Sequence, residues 1–163
     1  MSTTSKQYTV VDSPLGLLKL VSTGGVLSAL YMTDHRHQPA EETFGERVPH
    51  GVAPFAEVVL ELRAYFAGEL TEFTVPVHLE GTAFQRSVWD QLLRIPYGET
   101  WSYGRLAAEL GKPNASRAVG LANGRNPVSI IVPCHRVIGA SGAMTGYGGG
   151  LERKVRLLEL EKK

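Results

Sequence analysis

Short alternating runs of hydrophobic and polar residues occupy the first part of the chain, and each run is closed by a turn signal. Alternation at a period of two is typical of a half-buried strand. Ser13–Gly16 contains Pro14, and Gly24 and Gly25 are adjacent, so both segments favour turns. The pattern therefore predicts three strands in succession, at Tyr8–Val11, Leu17–Val21 and Val26–Tyr31. The polar segment 33–52 predicts a loop.

Helical periodicity begins near Pro54, a residue suited to the first helical position, and Gly68 ends it. Hydrophobic residues recur there at helical spacing, at Phe55, Val58, Val59, Leu62 and Phe66. Together with the strands, this helix indicates a small α+β unit. We find no candidate catalytic residues in it. Residues 71–79 are predicted to connect it to the second half.

The second half is predicted to be mostly helical. Thr82 and Gln85 form a capping-box pattern at the start of a helix that ends at Pro96. Its buried face is predicted to contain Phe84, Val88, Leu92 and Ile95.

Two short helices are predicted next, Tyr103–Leu110 capped by Ser102 and Ala115–Asn123 capped by Asn114. Two such helices joined by a short turn fit a helix-turn-helix. From spacing alone, an ordinary helical hairpin is the more common arrangement and stays open as an alternative.

The apolar run Val128–Val132 predicts a buried, extended segment that leads to Cys134. The segment Gly139–Gly150 is rich in glycine. A final helix is predicted at Leu151–Glu161, with one buried stripe formed by Leu151, Val155 and Leu158.

The chain has 163 residues, enough for one large domain or two small ones. No apolar run approaches the roughly 20 residues of a membrane span, and the N-terminus lacks the hydrophobic region of a signal peptide. We therefore expect a soluble, cytoplasmic protein without a membrane partner. The single cysteine cannot form an internal disulfide, which agrees with a reducing compartment.

The formal net charge of +1 conceals an uneven distribution. Residues 1–79 carry 5 Lys/Arg against 9 Asp/Glu, and residues 80–163 carry 12 against 7, so the halves have net charges of −4 and +5. A basic half favours a polyanionic partner, although random scatter of surface charge explains the numbers equally well.

Cys134 is the candidate nucleophile. An isolated cysteine is usually a small buried hydrophobe, but this one is followed by the potentially cationic His135 and Arg136. A nearby base or cation raises the thiolate fraction of a thiol. Adjacent residues of a strand face opposite sides, so His135 would reach the sulfur through a bridging water or a turn at this point.

The segment Pro133-Cys134-His135-Arg136-Val137-Ile138, preceded by Gly124-Arg125-Asn126-Pro127, resembles the active-site signature of the O6-alkylguanine-DNA alkyltransferases. The resemblance covers residues 80–163 and continues more weakly through residues 1–79. It implies a mixed α+β fold. Residues 1–79 would form a ribonuclease-H-like supporting domain, with a small antiparallel sheet and a linker. Residues 80–163 would form a mostly helical DNA-binding and alkyltransferase domain with a helix-turn-helix and an active-site loop.

The resemblance implies direct-reversal DNA repair, in which the cysteine irreversibly takes an alkyl group from O6-alkylguanine; activity on O4-alkylthymine is left open. The base is flipped out of the duplex, because its alkyl carbon cannot be reached inside the stack. Because no second thiol or cofactor removes the group, each molecule acts once. The partner is double-stranded DNA, bound through its minor groove. We expect a monomer in solution and leave cooperative binding to DNA open.

The resemblance implies a functional role for each residue that matches a functional position of the family. Cys134, a water molecule, His135 and Glu161 would form a relay, in which Glu161 orients the imidazole and His135 takes the thiol proton through the water. Tyr103 would bond the guanine edge and supply a proton as charge leaves O6. Arg117 matches the arginine finger that fills the space left by the flipped base.

Further matching residues would shape the site. Small residues would let the second short helix approach the DNA backbone closely, namely Ala115, Ala118, Gly120 and Ala122. Tyr147, the amide of Gly148 and the backbone of Val137 would line the substrate pocket. Asn126 would hold the turn before the active-site segment, and Arg136 would tie the two halves together.

The chain departs from the family's pattern at two places. Some relatives hold a structural zinc ion with two cysteines and two histidines in the N-terminal domain. His35-Arg36-His37 without a cysteine is a poor zinc site, so we predict no metal. Gly148 replaces a hydroxyl residue of some relatives, which leaves the accepted range of alkyl groups open.

Two other classes of function stay open. A Cys–His hydrolase or protease would use Cys134 and glycine-rich amides as an oxyanion hole, but leaves the helix-turn-helix unexplained. A non-enzymatic DNA-binding protein that senses damage or regulates transcription would not need Cys134. A Cys134→Ser variant separates these functions, because an alkyltransferase would keep DNA binding and lose transfer.

Overall fold

The computed structural model describes residues 5–35, 38–140, 142 and 147–162. The chain divides into two compact units, Met1–Leu79 and Glu80–Lys163. Arg36, His37 and part of the glycine-rich segment, residues 141 and 143–146, lie outside the described residues.

A four-stranded sheet forms the centre of the first unit. The three predicted strands are confirmed as β1 (Lys6–Val11), β2 (Leu18–Thr23) and β3 (Val26–Met32), paired antiparallel in sequence order. β4 (Glu46–Arg47) pairs in parallel with β1, giving the order β3-β2-β1-β4. The sequence did not reveal β4 because both of its residues are exposed.

Hydrophobic side chains cover both faces of this sheet. One face carries an aromatic cluster in which Tyr31 stacks on Phe44, with ring centroids 5.7 Å apart. Leu18, Leu20 and Leu30 are also fully buried. α1 (Phe55–Phe66) buries the predicted positions Phe55, Val58, Val59 and Leu62 and begins directly after Pro54.

The second unit is mostly helical. Its helices are α2 (Ala83–Leu92), α3 (Tyr103–Glu109), α4 (Ser116–Gly124) and α5 (Leu151–Glu161). Two short strands, β5 (Trp101–Ser102) and β6 (Val137–Ile138), pair in parallel. α3 and α4 pack against each other as the two helices of the predicted helix-turn-helix, and α2 packs against α4.

Two of the three predicted helix caps are confirmed. Thr82 Oγ1 accepts a hydrogen bond from the Gln85 amide (3.1 Å), and Gln85 Oε1 accepts one from the Thr82 amide (3.0 Å). Ser102 caps α3 by accepting from the Arg105 amide. The cap predicted at Asn114 is wrong, because α4 begins one residue later, after Ala115. A turn closed by the Ala115 amide and the Lys112 carbonyl (2.9 Å) places Asn114 outside the helix.

The buried stripe predicted for the last helix is also wrong. Leu151 and Val155 are 47% and 38% exposed. α5 instead buries Lys154, Leu157 and Glu161, the face that packs against the segment Cys134–Arg136. The spacing of hydrophobic residues predicted the wrong face because two charged residues, Lys154 and Glu161, face the interior. No described helix is long and apolar enough to cross a membrane.

Candidate active site

Cys134 lies in a single turn of 3-10 helix, Cys134–Arg136, and not at the end of a strand. The segment before it is buried as predicted, but it consists of tight turns. The Ile131 amide donates to the Ser129 carbonyl (2.8 Å), and the Cys134 amide donates to the Val132 carbonyl (2.8 Å). The predicted extended segment is therefore wrong, because an apolar run indicates burial without fixing the backbone conformation.

Asn126 holds these turns in place. Its Nδ2 donates to the Val132 carbonyl (2.8 Å), and its Oδ1 accepts from the Val128 amide (3.0 Å). Between them, Ile130 has a φ of 74°. This left-handed conformation is rare for a β-branched residue and stores backbone strain. The loop that carries the cysteine is thus strained and closed at both ends by one side chain.

The His135 imidazole is completely buried, with Nε2 2.8 Å from Glu161 Oε2. Its Nδ1 is also buried and makes no hydrogen bond to a described residue. Burial lowers the pKa of His135, and Glu161 partly opposes this effect, so the ring is neutral at pH 7. A neutral ring that donates from Nε2 to a carboxylate keeps its lone pair on Nδ1, which can accept a proton.

Glu161, at the end of α5, binds both residues that follow the cysteine. Arg136 donates to its two oxygens from Nε (2.8 Å) and Nη2 (3.0 Å), and from Nη1 to the Ile95 carbonyl (2.7 Å). These bonds all lie within the second unit. Through them Arg136 fixes the carboxylate that holds His135.

Cys134 is a neutral thiol at rest. Burial raises the pKa of Cys134, and this effect outweighs the opposite influence of Asn126, Lys154 and Ser129. The sequence suggested that His135 and Arg136 supply the cationic influence on the thiol. That interpretation is wrong, because His135 is neutral and Arg136 is paired with Glu161.

Lys154 supplies the positive charge near the sulfur, a role that the sequence did not indicate. The side chain is 0% exposed on α5 and lies on the same helix face as Glu161. Burial lowers the pKa of Lys154 to about 8, with the Cys134 charge opposing the shift. Helical spacing could have predicted that Lys154 is buried. Residues 154, 157 and 161 lie on one face of a helix, and Glu161 was already expected at the active site.

Asn123 was also missed. This buried side chain of α4 donates from Nδ2 to the Cys134 carbonyl (3.4 Å). It therefore connects the second helix of the helix-turn-helix directly to the backbone of the nucleophile.

The pocket residues expected around the cysteine have different environments. Tyr147 is buried and Gly148 is half-buried. Val137 is buried in β6, opposite Trp101 of β5. Tyr103 opens α3 and is half-buried. Its ring lies against Gly120, where an added Cβ would be 3.6 Å from it.

The residues expected to face DNA do not all lie on one surface. Arg117 and Ala118 are exposed on α4, and Ala115 and Gly120 are half-buried. Ala122 is buried, and its carbonyl accepts a hydrogen bond from Trp89 Nε1 (2.9 Å). The prediction that Ala122 faces the DNA backbone is therefore wrong, because this side of α4 packs on α2.

In the part of the chain that the structure describes, no group of three or more His, Cys, Asp or Glu side chains could hold a metal ion. His35 is buried, and its Nδ1 accepts a hydrogen bond from the Met32 amide (3.2 Å). The other histidine of that predicted poor zinc site, His37, lies outside the described residues.

Comparison with known proteins gives matches along nearly the whole chain. Residues 83–163 match the DNA binding domain of 6-O-methylguanine DNA methyltransferase, and residues 6–79 match its ribonuclease-like domain. The methylated-DNA–protein-cysteine methyltransferase of Mycobacterium leprae is 59% identical over 93% of this chain and 90% of its own length. The protein of that name from Mycolicibacterium paratuberculosis is 55% identical over 96% of this chain and 93% of its own length.

A solved structure agrees with these matches. The crystal structure of Mycobacterium tuberculosis OGT in complex with DNA has a TM-score of 0.89 and 56% identity, covering 96% of this chain and 92% of that one. A buried Cys134 beside a His135–Glu161 pair is thus found in a chain whose two units both match the same family. This chain belongs to the 6-O-methylguanine DNA methyltransferase family.

Proposed function

We propose that this protein repairs DNA by moving an alkyl group from the O6 atom of guanine to its own Cys134, once per molecule. The observation that carries this proposal is the buried His135–Glu161 pair directly after the neutral Cys134 thiol, in which the imidazole Nδ1 makes no hydrogen bond to a described residue. Such a site keeps the nucleophile inactive until a base removes its proton.

The reaction breaks one carbon–oxygen bond and forms one carbon–sulfur bond. The Cys134 thiol gives its proton to His135 Nδ1, directly or through a water molecule, and Glu161 stabilises the resulting imidazolium. The thiolate then attacks the alkyl carbon in line, and the electron pair of the broken bond remains on guanine O6. Tyr103 supplies a proton to the purine as this charge develops. The products are an S-alkyl cysteine and an unmodified guanine.

The reaction inactivates the protein. A thioether is not readily hydrolysed, and the chain contains only one cysteine. No other thiol of the chain can therefore take the alkyl group from Cys134. The protein acts as a stoichiometric reagent.

DNA binds across the helix-turn-helix of the second unit. Arg117 on the exposed face of α4 enters the minor groove and occupies the place of the flipped nucleotide. The neighbouring small residues Ala115 and Ala118 permit close approach to the sugar–phosphate backbone. The flipped base then lies between Tyr147, Gly148 and Val137, with Cys134 at the end of the pocket.

The two units have separate tasks in this proposal. Residues 80–163 bind DNA and carry out the transfer, and residues 1–79 support them. The protein works as a monomer in the cytoplasm, and binding of several copies side by side on DNA is compatible with this proposal.

Intact-protein mass spectrometry tests the function directly. After incubation with a duplex that contains one O6-methylguanine, the protein should gain one methyl group, located on the Cys134 peptide and saturating at one per molecule. Cys134→Ser should bind the same duplex and gain no mass. Repaired DNA with unmodified protein would indicate a turnover enzyme, and binding without repair would indicate a damage sensor.

A further inference from the structure

A buried amide oxygen without a donor lies next to the backbone of the nucleophile. Asn123 on α4 is 2% exposed, and its Nδ2 donates to the Cys134 carbonyl over 3.4 Å. The other polar atom of this amide, Oδ1, is buried and accepts no hydrogen bond from a described residue. Burial without a donor costs free energy, because the oxygen has lost the water that it would bind at the surface. The described residues therefore leave this acceptor available to a donor from a bound molecule.

The hydrogen bond to the Cys134 carbonyl fixes where this acceptor lies. Nδ2 and Oδ1 belong to one planar amide group, so Oδ1 is within a few ångströms of the backbone of Cys134. Asn123 belongs to the buried face of α4, together with Val119 and Ala122. In the proposed reaction the alkyl carbon of the substrate meets the sulfur of Cys134. The base attached to that carbon therefore lies beside the same short segment that Asn123 contacts.

The hydrogen-bonding groups of the proposed substrate suit such an acceptor. Alkylation of O6 leaves N1 of guanine without its proton, so the base keeps one donor, the amino group on C2. All its other polar ring atoms are acceptors. O4-alkylthymine has no donor on its base, because its N3 has lost the proton in the same way. An acceptor beside the nucleophile therefore favours alkylated guanine over alkylated thymine.

We propose that Asn123 is a specificity-determining residue, whose Oδ1 accepts a hydrogen bond from the C2 amino group of the flipped guanine while its Nδ2 holds the Cys134 carbonyl. The inference rests on the proposed alkyl transfer and names the group by which the site selects its base. Binding of guanine gives the buried oxygen a donor. A base without the amino group leaves the oxygen buried and unpaired, which a polar site penalises more than the loss of an apolar contact.

The test is a competition between two duplexes that differ in this amino group. One contains O6-methylguanine, and the other contains O6-methylhypoxanthine, which lacks the amino group on C2. Both are supplied in excess over the protein, and the ratio of the repaired products gives the preference for guanine. Asn123→Leu, which has a similar shape and no acceptor, should lower this preference about 10- to 100-fold, the range for a buried acceptor left without its donor.

Comparing the same two duplexes in each protein separates base recognition from positioning. Asn123→Leu also removes the donor to the Cys134 carbonyl, so both substrates should react more slowly. A purely structural role would slow both equally and leave the preference unchanged. Any intrinsic difference in reactivity or base flipping between the duplexes cancels, because every protein receives the same pair.

Two further variants serve as controls. Gln91→Leu removes a buried amide oxygen of α2 that also accepts no hydrogen bond from a described residue, and it should leave the preference unchanged. Asn123→Asp keeps an oxygen acceptor at the same position and should retain most of the preference. An unchanged preference in Asn123→Leu, an equal loss in Gln91→Leu, or a complete loss in Asn123→Asp would overturn the proposal.

The remaining outcomes are also decisive. If circular dichroism shows that Asn123→Leu does not fold, Asn123→Ala removes the same oxygen by a smaller change and carries the same expectation. If the unaltered protein transfers no methyl group, the proposed function fails. Fluorescence anisotropy then tests the hydrogen bond without transfer: the ratio of affinities for the two duplexes should fall in Asn123→Leu, and an equal ratio in both proteins would refute the role of Asn123.

Discussion

The two residues proposed to exchange a proton, Cys134 and His135, are both neutral in the resting site. Burial raises the pKa of Cys134 and lowers that of His135, so the resting pair is a thiol beside a neutral imidazole. Besides Lys154, the charged side chains of the site are Glu161 and Arg136, which form an ion pair through two hydrogen bonds. In the proposed mechanism, reactivity depends on one proton transfer from Cys134 to His135, and Glu161 favours this transfer by stabilising the imidazolium.

Glu161→Gln should slow methyl transfer at least 100-fold, within the range for a positioned proton acceptor. Losing the carboxylate removes the interaction that raises the pKa of His135, so the pKa falls further and a higher pH should not restore the rate. Single-turnover rates between pH 6 and 9 check this expectation. Glu159→Gln makes the same change at an exposed position of α5 and should be unaffected. A rate that recovers at high pH would contradict the assigned role.

Lys154→Met should change the pH dependence of stability. The pKa of Lys154 is about 8 in the folded protein, below its ordinary value of 10.5, so the unfolded chain binds more protons between these values. Below pH 8 the buried ammonium costs about 3 kcal/mol, and this cost disappears as the pH rises toward 10.5.

Urea unfolding at pH 7 and pH 9.5 measures this effect, with Cys134→Ser in both proteins so that the thiol does not titrate. The free energy of unfolding of the lysine protein should rise relative to that of Lys154→Met as the pH increases. An equal difference at both pH values would show that burial does not penalise this ammonium.

Two helices, α4 and α5, bring side chains to the segment Cys134–Arg136. α5 brings Glu161 and Lys154 to it, and α4 brings Asn123 to the Cys134 carbonyl. The opposite face of α4 exposes Arg117, Ala118 and Leu121. One short helix therefore contacts the backbone of the nucleophile on its inner side, and its outer side is the exposed surface proposed to face DNA.

Arg117→Ala should slow repair of a duplex substrate about 10- to 100-fold, because flipping a paired base costs a few kcal/mol that the arginine helps to offset. Repair of O6-methylguanine opposite an abasic site should be less affected, since that base is already unpaired. Single-turnover rates on both substrates check the prediction, with the exposed Arg156→Ala of α5 as a control. Equal loss on both substrates would argue for a simple phosphate contact.

The whole molecule has an acidic first half, net −4, and a basic second half, net +5. Since the helix-turn-helix lies in the basic half, we expect electrostatic attraction to orient the second unit toward the phosphate backbone. Affinity gained in this way is sensitive to salt, because binding releases counterions from DNA.

The logarithm of the DNA association constant should fall linearly with the logarithm of salt concentration. Arg125→Gln, at an exposed position directly after α4, should make this slope shallower by about 0.9, the value for one lost phosphate contact. Arg63→Gln, exposed on α1 of the acidic half, should leave the slope unchanged. Fluorescence anisotropy with an unmodified duplex measures both. Equal slopes in all three proteins would refute the assignment of this surface.

Much of the fold and the family could be predicted from local features of the sequence. Strand alternation at Tyr8–Val11 and the capping box at Thr82 depend on neighbouring residues alone, and both are present as predicted. The signature around Cys134 indicated the family because a contiguous motif needs no knowledge of distant contacts. Local chemistry was sufficient for these features.

Tertiary structure decided the electrostatics of the site and the direction in which charged residues face. Whether Cys134 is a thiol or a thiolate depends on its burial and on Lys154, which is 20 positions away in the sequence. Burial of Lys154 and Glu161, with Val155 left exposed, depends on what α5 packs against. The sequence could not indicate the turns at Ile130, since Asn126 imposes them from outside the apolar run. Local patterns specify secondary structure, but pKa values and buried charge depend on every group that the fold brings near.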